Sequence, residues 1–242
     1  ISYRITDDIA DPEGLSDNYH VEKLVRLDGG FHCYTSYEEL PEVKCLPQKR
    51  NKFITFGSFN NILKVSQEVI KTWSDILNSV EKSRLVIKGR MIDYTVVRER
   101  IRNEFSQHNV SSNRVEFMEW VPRDQRPLEK YNSIDIALDT FPYNGTTTSF
   151  EAIVMGVPVI TLRGTRHAAR VGASIMTRIG CKELIGESKS QYVQIAQSLA
   201  NDIPRLQRYR ENLRINFEKS PYGNPIEFTR KFEETFKSLY KN

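Results

Sequence analysis

Three consecutive threonines, Thr146, Thr147 and Thr148, lie where a strand-like segment gives way to a helical one. The apolar run from Ile134 to Leu138 comes before them, and a Pro-Tyr-Asn-Gly turn joins the two parts. A helix that ends near Gly156 follows. The unpaired N–H groups and positive dipole of a first helical turn attract phosphate. This segment therefore predicts a phosphate site, although threonines before an apolar run are also ordinary N-caps.

A second group of polar residues lies in the run FGSFNNILK, just after a strand predicted at Phe53 to Phe56. Asn60 and Asn61 offer amide donors, and Lys64 offers an ammonium group. A lysine is a point charge with three donors, which suits a diphosphate that gains negative charge as its bond to a sugar breaks. The simpler alternative is a solvated lysine near a helix start, since lysine is most often exposed.

Glu151 follows the threonines by three to five residues, one turn into the same helix. A carboxylate in that position can accept hydrogen bonds from the two hydroxyls of a ribose, as an acidic residue does in dinucleotide-binding folds. It can equally serve as a capping-box glutamate for Thr148. The residues alone leave both interpretations open.

A third polar cluster comprises Arg163, Arg166, His167 and Arg170, after a strand predicted from Val157 to Leu162. We expect these side chains to neutralise phosphate or to close over a ligand. His167 is the one histidine of four that falls near the predicted site, and a lone histidine in a loop is also often simply exposed.

The composition excludes several classes of protein. The 242 residues are 39% hydrophobic with a net charge of +4, which is typical of a globular domain and not of a disordered chain. The basic residues are scattered over helix faces, so we expect no nucleic-acid partner. The three cysteines have no metal-site spacing and suggest a reducing compartment, the cytoplasm. We expect no membrane partner, because no apolar run approaches a span and the first residues lack signal-peptide features.

Familiar catalytic motifs are missing from the sequence. There is no GxSxG, HExxH, Walker A or GxGxxG, which weakens hydrolase, zinc-protease, P-loop and classical dinucleotide interpretations. The chain also begins without Met on a strand-like run, and we expect it to be a piece of a longer protein.

Strand-like and helix-like segments alternate from Lys52 onward. The predicted strands are Phe53 to Phe56, Arg84 to Ile87, Val115 to Met118, Ile134 to Leu138 and Val157 to Leu162; the predicted helices between them are Ser66 to Val80, Tyr94 to Phe105, Arg126 to Tyr131 and the one after the threonines. Such alternation predicts βαβ crossovers and a Rossmann-like α/β domain, a mostly parallel sheet with helices on both faces. Ligands of such sheets lie beyond the carboxyl ends of the strands, where the polar loops fall.

The two ends of the chain follow other patterns. In the first fifty residues we expect a strand at Ile1 to Ile5 and a short helix at Tyr19 to Leu27. From Lys189 the chain is predicted to be helical, with a break at Ser220 to Pro225. We therefore predict three parts: residues 1–50 as a linker or the tail of a preceding domain, 51–188 as the Rossmann-like domain, and 189–242 as helices packed on it.

Several runs together resemble one family. They are YRITD, YHVEKLVRL, FGSFNNILK, LDTFPYNGTTTSFEAIVMGVPVITL, GTRHAARVGAS and SPYGNP. In this order they resemble the C-terminal catalytic half of the O-GlcNAc transferases, the GT-B glycosyltransferases of family 41 that include plant SPINDLY. The match spans nearly the whole chain, and the Gly-Thr-Thr-Thr turn is closer to the SPINDLY branch.

The resemblance implies that residues 51–188 are the nucleotide-sugar-binding domain and that residues 1–50 are the end of the preceding half with its connection. It also implies roles for individual residues. Asn61 and Lys64 match diphosphate contacts, with Lys64 the most needed for activity. The three threonines match the phosphate turn, and Glu151 takes the place of the ribose-binding acid. The nucleobase contacts of the family lie in the helix before the LDT strand, where this chain has Asp124, Gln125, Arg126 and Pro127.

The implied activity is transfer of a sugar from a nucleotide-diphosphate sugar to Ser or Thr of proteins, with inversion and without a metal or other cofactor. UDP-GlcNAc is the expected donor and GDP-fucose the alternative. In the family an acceptor-binding half and tetratricopeptide repeats precede this half and bind the protein acceptors. Two other functions stay open: a nucleotide-binding or scaffold module that is inactive in isolation, and an epimerase or small-sugar glycosyltransferase.

Overall fold

The computed structural model describes residues 1–37, 39–122 and 127–240. The strands are β1 (Tyr3–Thr6), β2 (Lys23–Arg26), β3 (Thr55–Ser58), β4 (Arg84–Lys88), β5 (Val115–Met118), β6 (Ile136–Leu138), β7 (Val159–Leu162) and β8 (Ile185–Gly186). The helices are α1 (Pro47–Asn51), α2 (Gln67–Ser79), α3 (Thr95–Gln107), α4 (Thr147–Val154), α5 (Val171–Arg178), α6 (Lys189–Asn201), α7 (Ile203–Lys219) and α8 (Pro225–Tyr240).

Six of the strands form one sheet in the order β5-β4-β3-β6-β7-β8, and every neighbouring pair is parallel. This is the doubly wound order in which the chain first builds outward from β3 and then starts again on the other side with β6. The predicted parallel α/β sheet is confirmed. Its carboxyl-end crevice lies between β3 and β6, which we call the switch point.

The direction of winding distributes the helices over both faces. Right-handed crossovers that run in opposite directions from the switch point place α2 and α3 on one face and α4 and α5 on the other. In agreement, α2 packs against α3 and α6, whereas α4 packs against α7. The sheet strands are buried between these layers, with Phe56, Leu85 and Ile160 fully inaccessible.

The first strand of the sheet lies two residues later than predicted. It extends through Gly57 and Ser58, beyond the predicted end at Phe56. A glycine is needed inside this strand because the side chain of Ile134 packs against it. A Cβ atom added to Gly57 would lie 2.6 Å from Ile134 Cδ1.

The predicted helix at Tyr19 to Leu27 is wrong. Lys23–Arg26 is a strand that pairs in parallel with Tyr3–Thr6, and only Asp17–Tyr19 forms a turn of 3-10 helix before it. A nine-residue segment is too short for apolar spacing to separate helix from strand, and the backbone partner in β1 decides the outcome. The sequence analysis also missed α1, α5 and the two-residue strand β8.

The chain beyond Lys189 is helical as predicted. Ser188 caps α6 and Asp202 caps α7, each accepting a hydrogen bond from a backbone N–H of the first turn. A 3-10 turn, Pro221–Gly223, occupies the predicted break before α8. In the described part of the chain no helix has both the length and the apolar character that a membrane span requires. The division into residues 1–50, 51–188 and 189–242 stays a prediction.

Candidate nucleotide-sugar site

The loops after β3 and β6 meet at the switch point. Lys64 Nζ donates a hydrogen bond to the carbonyl oxygen of Asn144, at 2.8 Å. Asn144 is fully buried, and its side chain bonds the carbonyl of Thr140 and the N–H of Gly172. The ammonium group is thus fixed to the segment that leads into α4, so the first two predicted groups lie together.

The buried carboxylate of Asp139 holds that segment in place. Its Oδ1 accepts hydrogen bonds from the N–H groups of Gly145 (2.6 Å) and Thr140 (2.9 Å), and its Oδ2 accepts one from Thr161 Oγ1 (2.8 Å). Burial raises the pKa of this carboxyl to about 6, against the hydrogen bonds and the charge of Lys64, which lower it. The carboxylate therefore shapes the turn and attracts the lysine, but it is not exposed to a ligand.

The threonine turn stands at the start of α4. Thr146 is the N-cap residue, and no side chain caps this helix terminus. Thr147 is exposed, whereas Thr148 Oγ1 donates to Asn60 Oδ1 at 3.0 Å. An uncapped first turn leaves N–H groups available for an anion, with the helix dipole in its favour.

Gly145 allows the close approach of these groups. A Cβ atom at this position would lie 2.7 Å from Thr148 Oγ1 and 2.8 Å from both Asn60 Oδ1 and Ser149 Oγ. Only a residue without a side chain lets the backbone pass this junction. The Asn-Gly of the sequence thus serves packing as well as the turn.

Lys64 is half-buried and lies against an aromatic ring. Its Nζ atom is 3.8 Å from the centroid of the Tyr143 ring, in cation-π geometry. Burial lowers the pKa of Lys64, and the carboxylate of Asp139 acts in the opposite direction. The alternative of a solvated lysine is therefore not what the structure shows.

The two asparagines after β3 differ in surroundings. Asn60 is buried, and its amide nitrogen lies 3.4 Å from Asp139 Oδ1, so both ends of its side chain are engaged within the protein. Asn61 is exposed, and its Oδ1 accepts from the N–H of Leu63 to begin a 3-10 turn. Of the two, Asn61 has the amide nitrogen that makes no hydrogen bond to any described residue.

Glu151 lies on the side of α4 that faces Tyr131. Its Oε2 accepts a hydrogen bond from the Tyr131 hydroxyl at 2.9 Å, and the same hydroxyl lies 3.1 Å from the carbonyl oxygen of Thr148. The capping-box interpretation is wrong, because the N-cap is Thr146 and Glu151 is the fifth residue of the helix, not the third. A role toward ribose stays a prediction.

The third predicted group is engaged with the N-terminal segment. Arg170 Nε donates to the carbonyl of Ile9 at 2.7 Å, and its Nη1 donates to the carbonyl of Gly164. His167 Nδ1 lies 2.7 Å from Oδ2 of the buried Asp11, whose Oδ1 is 3.4 Å from His20 Nε2. None of these contacts reaches Lys64 or the threonines, so donor binding by Arg170 stays a prediction.

Three polar residues of this region were missed by the sequence analysis. Asp139 and Asn144 stood next to the threonine turn and could have been found as polar groups that follow a buried strand. Lys88 ends β4 and is 8% exposed. A lysine at the end of an apolar strand is the sequence signal that could have identified Lys88.

The segment of the predicted nucleobase contacts is only partly described. Asp124, Gln125 and Arg126 lie outside the described residues, while Pro127–Ser133 forms a 3-10 helix in place of the predicted short α-helix. Within the described ranges no cluster of three His, Cys, Asp or Glu side chains could hold a metal ion. The expectation that no metal is needed stays a prediction.

A separate groove of about 790 Å³ runs between α2, α3 and α6. Its lining includes Glu68, Lys71 and Glu104 and none of the predicted site residues. Because positive and negative side chains both line it, this groove is not a better candidate for phosphate binding than the switch point, where hydrogen-bond donors converge, in spite of its volume.

Comparison with known proteins identifies the family. The family described as Glycosyl transferase family 41 matches residues 35–232. The protein of Petunia hybrida named "Probable UDP-N-acetylglucosamine--peptide N-acetylglucosaminyltransferase SPINDLY" is 39% identical over 241 residues, which are 100% of this chain and 26% of that protein. The corresponding SEC protein of Arabidopsis thaliana is 27% identical, over 99% of this chain and 25% of its own length.

Solved structures give the same picture. A lysine-to-methionine mutant of the Thermobaculum terrenum O-GlcNAc transferase superposes with a TM-score of 0.91 and 32% identity, over 99% of this chain and 45% of that one. Sucrose-phosphate synthase of Thermosynechococcus elongatus has a TM-score of 0.62 at 14% identity, over 99% of this chain and 58% of its own, and shares the fold. The chain spans about a quarter of the curated relatives it matches. It belongs to glycosyltransferase family 41, as the C-terminal part of the catalytic region.

Proposed function

We propose that the protein containing this chain transfers N-acetylglucosamine from UDP-GlcNAc to Ser or Thr hydroxyls of cytoplasmic proteins, and that this chain binds the donor. Its relatives are named as probable UDP-N-acetylglucosamine–peptide N-acetylglucosaminyltransferases. Acceptor proteins would bind through parts of the protein outside this chain. The single observation that carries the proposal is the convergence of Lys64 with the uncapped start of α4 at the switch point.

The chemistry follows from where charge develops. The acceptor oxygen forms a bond to the anomeric carbon from one face of the sugar, and the bond from that carbon to the diphosphate oxygen breaks on the other. The electron pair remains with the diphosphate, whose charge rises, and the proton of the acceptor hydroxyl is released to water. Lys64, Asn61 and the N–H groups at the start of α4 would stabilise that charge, the role that a metal ion has in other transferases.

The other residues have supporting roles in this proposal. Thr146 and Thr147 would donate hydroxyls to the phosphates, Thr148 would contribute its backbone N–H, and Glu151 would accept from the ribose. Asn60 contributes by holding Thr148 in place, and Asp139 by shaping the turn. Electrostatic donors of this kind typically contribute about 10²–10³ in turnover each.

Substitution of Lys64 tests the assignment. In the full-length protein we expect Lys64→Ala to lower turnover with UDP-GlcNAc and a peptide acceptor by about 10²-fold or more. Lys71→Ala, on the exposed face of α2, is the matched control and should retain wild-type turnover. Circular dichroism would check that both fold. Wild-type turnover by the folded Lys64→Ala variant would refute the role of Lys64.

Protein O-fucosylation from GDP-fucose is the second candidate. The Gly-Thr-Thr-Thr turn is of the SPINDLY kind, and the SPINDLY relatives are more similar to this chain than SEC is. A thermal-shift comparison of UDP-GlcNAc with GDP-fucose separates the two donors. A ligand at 100 times its dissociation constant stabilises the folded state by about 2.7 kcal/mol. Stabilisation by GDP-fucose alone would favour the second candidate, and stabilisation by neither would favour a scaffold module.

A further inference from the structure

Lys88 is a buried residue whose ammonium group forms no hydrogen bond within the described part of the chain. It is the last residue of β4 and only 8% exposed. Across the described ranges 1–37, 39–122 and 127–240, no side chain or backbone group forms a hydrogen bond or ion pair with it, although its Nζ lies 5.3 Å from the centroid of the Phe59 ring. Lysines as buried as this one are rare unless paired. The Nζ atom is not among the enclosed polar atoms without a partner, so it reaches solvent and is accessible to an acceptor from outside the chain.

The groups that face Lys88 come from three neighbouring elements. Phe59 follows β3, Glu151 belongs to α4, and Lys130 belongs to the 3-10 helix before β6. Burial lowers the pKa of Lys88, the charge of Glu151 raises it, and the charge of Lys130 lowers it. Phe59 and Tyr131 also contact each other, with ring centroids 4.6 Å apart. Lys88 therefore lies among residues of the proposed site.

The position of β4 in the sheet indicates which end of the donor Lys88 would contact. Lys64 is bonded to the loop after β6, on one side of β3, whereas β4 is the neighbour of β3 on the other side. A diphosphate held by Lys64 and the start of α4 leaves its nucleoside part near Glu151. In dinucleotide-binding folds a residue about 20 positions beyond the phosphate loop bonds the ribose. Lys88 follows the loop of Lys64 at a comparable separation.

The charges around Lys88 favour the nucleoside over a second phosphate group as its ligand. The carboxylate of Glu151 acts on Lys88, and it would repel an anion that approached Lys88. A positive and a negative group side by side match neutral hydroxyl and carbonyl groups, one donating and the other accepting. Lys64 differs from Lys88, because the carboxylate that acts on it, Asp139, is buried and does not face a ligand.

We propose that Lys88 is a donor-binding residue that gives a hydrogen bond to an uncharged oxygen of the nucleoside, beside the ribose contact of Glu151. This rests on the proposed function, because it takes the ligand to be a nucleotide sugar. Lys88 would then contribute to affinity for the nucleoside part and not to affinity for the diphosphate.

Binding to fragments of the donor tests this proposal. Calorimetric or competition titrations would use UDP, GDP, uridine, guanosine and inorganic pyrophosphate on the full-length protein. For the nucleotide that binds, we expect Lys88→Met to weaken both the diphosphate and its nucleoside about tenfold and to leave pyrophosphate unchanged. Lys64→Met should weaken the nucleotide and pyrophosphate but not the nucleoside. Lys130→Met is the control for loss of a nearby positive charge.

The outcomes that overturn the proposal are distinct. If Lys88→Met lowers the melting temperature but leaves nucleotide affinity within twofold, Lys88 is a structural counter-charge to Glu151. Loss of pyrophosphate affinity in Lys88→Met would make it a phosphate contact instead. Should Lys88→Met fail to fold, Lys88→Gln is the second variant, with the same expectation. If the wild-type protein binds neither nucleotide, the proposed function itself fails.

Discussion

The hydroxyl of Thr148 donates a hydrogen bond to Oδ1 of Asn60 at 3.0 Å, across 88 positions of the sequence. Asn60 follows β3 and Thr148 opens α4, so this bond joins the two sides of the switch point. It is made in addition to the bond between Lys64 and Asn144. Two cross-loop bonds hold the proposed diphosphate donors in one arrangement before any ligand binds.

Removal of the Thr148 hydroxyl should loosen this junction. Thr148→Val keeps the shape of the side chain and leaves Asn60 Oδ1 without its donor, which costs about 1–3 kcal/mol when a polar group is buried. We expect the melting temperature to fall and the affinity for the donor nucleotide to drop about tenfold. Thr165→Val, at an exposed position, is the control. Equal behaviour of the two variants would contradict the structural role of the bond.

A methyl group at position 172 has no room. A Cβ atom on Gly172 would overlap Thr161 Oγ1 and lie 2.8 Å from Asp139 Oδ2. Overpacking of this kind typically costs about 1–3 kcal/mol, so Gly172→Ala should unfold at lower denaturant concentration. Adding Thr161→Ala should recover part of the loss if the clash is the cause. Additive effects of the two substitutions would speak against it.

The protonation of Asp139 gives a pH dependence to stability. Its pKa in the folded protein is about 6, raised by burial above the ordinary 3.8. A raised pKa stabilises the folded state fully below the ordinary value, and this stabilisation is lost as the pH rises through about 6. Relative to Asp139→Asn, the wild type should lose up to about 3 kcal/mol of unfolding free energy between pH 4 and pH 7. Parallel pH profiles in urea unfolding would contradict this.

Asp11 should behave in the opposite way. Burial raises its pKa, but hydrogen bonds from Thr6 and His167 and the charge of His167 outweigh burial, so the pKa is lowered overall. A lowered pKa stabilises the folded state above the ordinary value, and the effect is lost as the pH falls through the folded pKa. Asp11→Asn should cost about 1–3 kcal/mol at pH 7, and the difference from wild type should shrink below pH 4. A constant difference would contradict the charged role.

The contact between Tyr131 and Glu151 predicts a graded effect on the nucleoside end. Tyr131→Phe removes one hydrogen bond to Glu151, and we expect the affinity for the donor nucleotide to fall by about threefold to tenfold, equivalent to roughly 1 kcal/mol. Glu151→Gln should weaken it further. Inorganic pyrophosphate should bind both variants as it binds wild type. A loss of pyrophosphate binding would place Glu151 at the diphosphate instead.

The parallel sheet and the two loops at its carboxyl edge could be predicted because alternation and turn chemistry are local signals. Lys64 and the threonine turn could be singled out from residue type and position after a strand. The residues that hold them in place could not. The strand at Lys23–Arg26, the role of Asp139 and the burial of Lys88 depend on which distant segment packs against them. Period and propensity carry no information on those pairings.

Trp73 of α2 and Tyr192 of α6 connect the helices on one face of the sheet to the loop after β6. The indole of Trp73 donates to the Tyr192 hydroxyl at 3.3 Å, and that hydroxyl donates to the carbonyl oxygen of Asp139 at 2.9 Å. Both rings are inaccessible to water, so this relay has no solvent substitute. A substitution within α2 or α6, remote from the proposed site, would therefore disturb the carbonyl from which the proposed phosphate loop departs. Inactivating substitutions should be sought there as well as at the site itself.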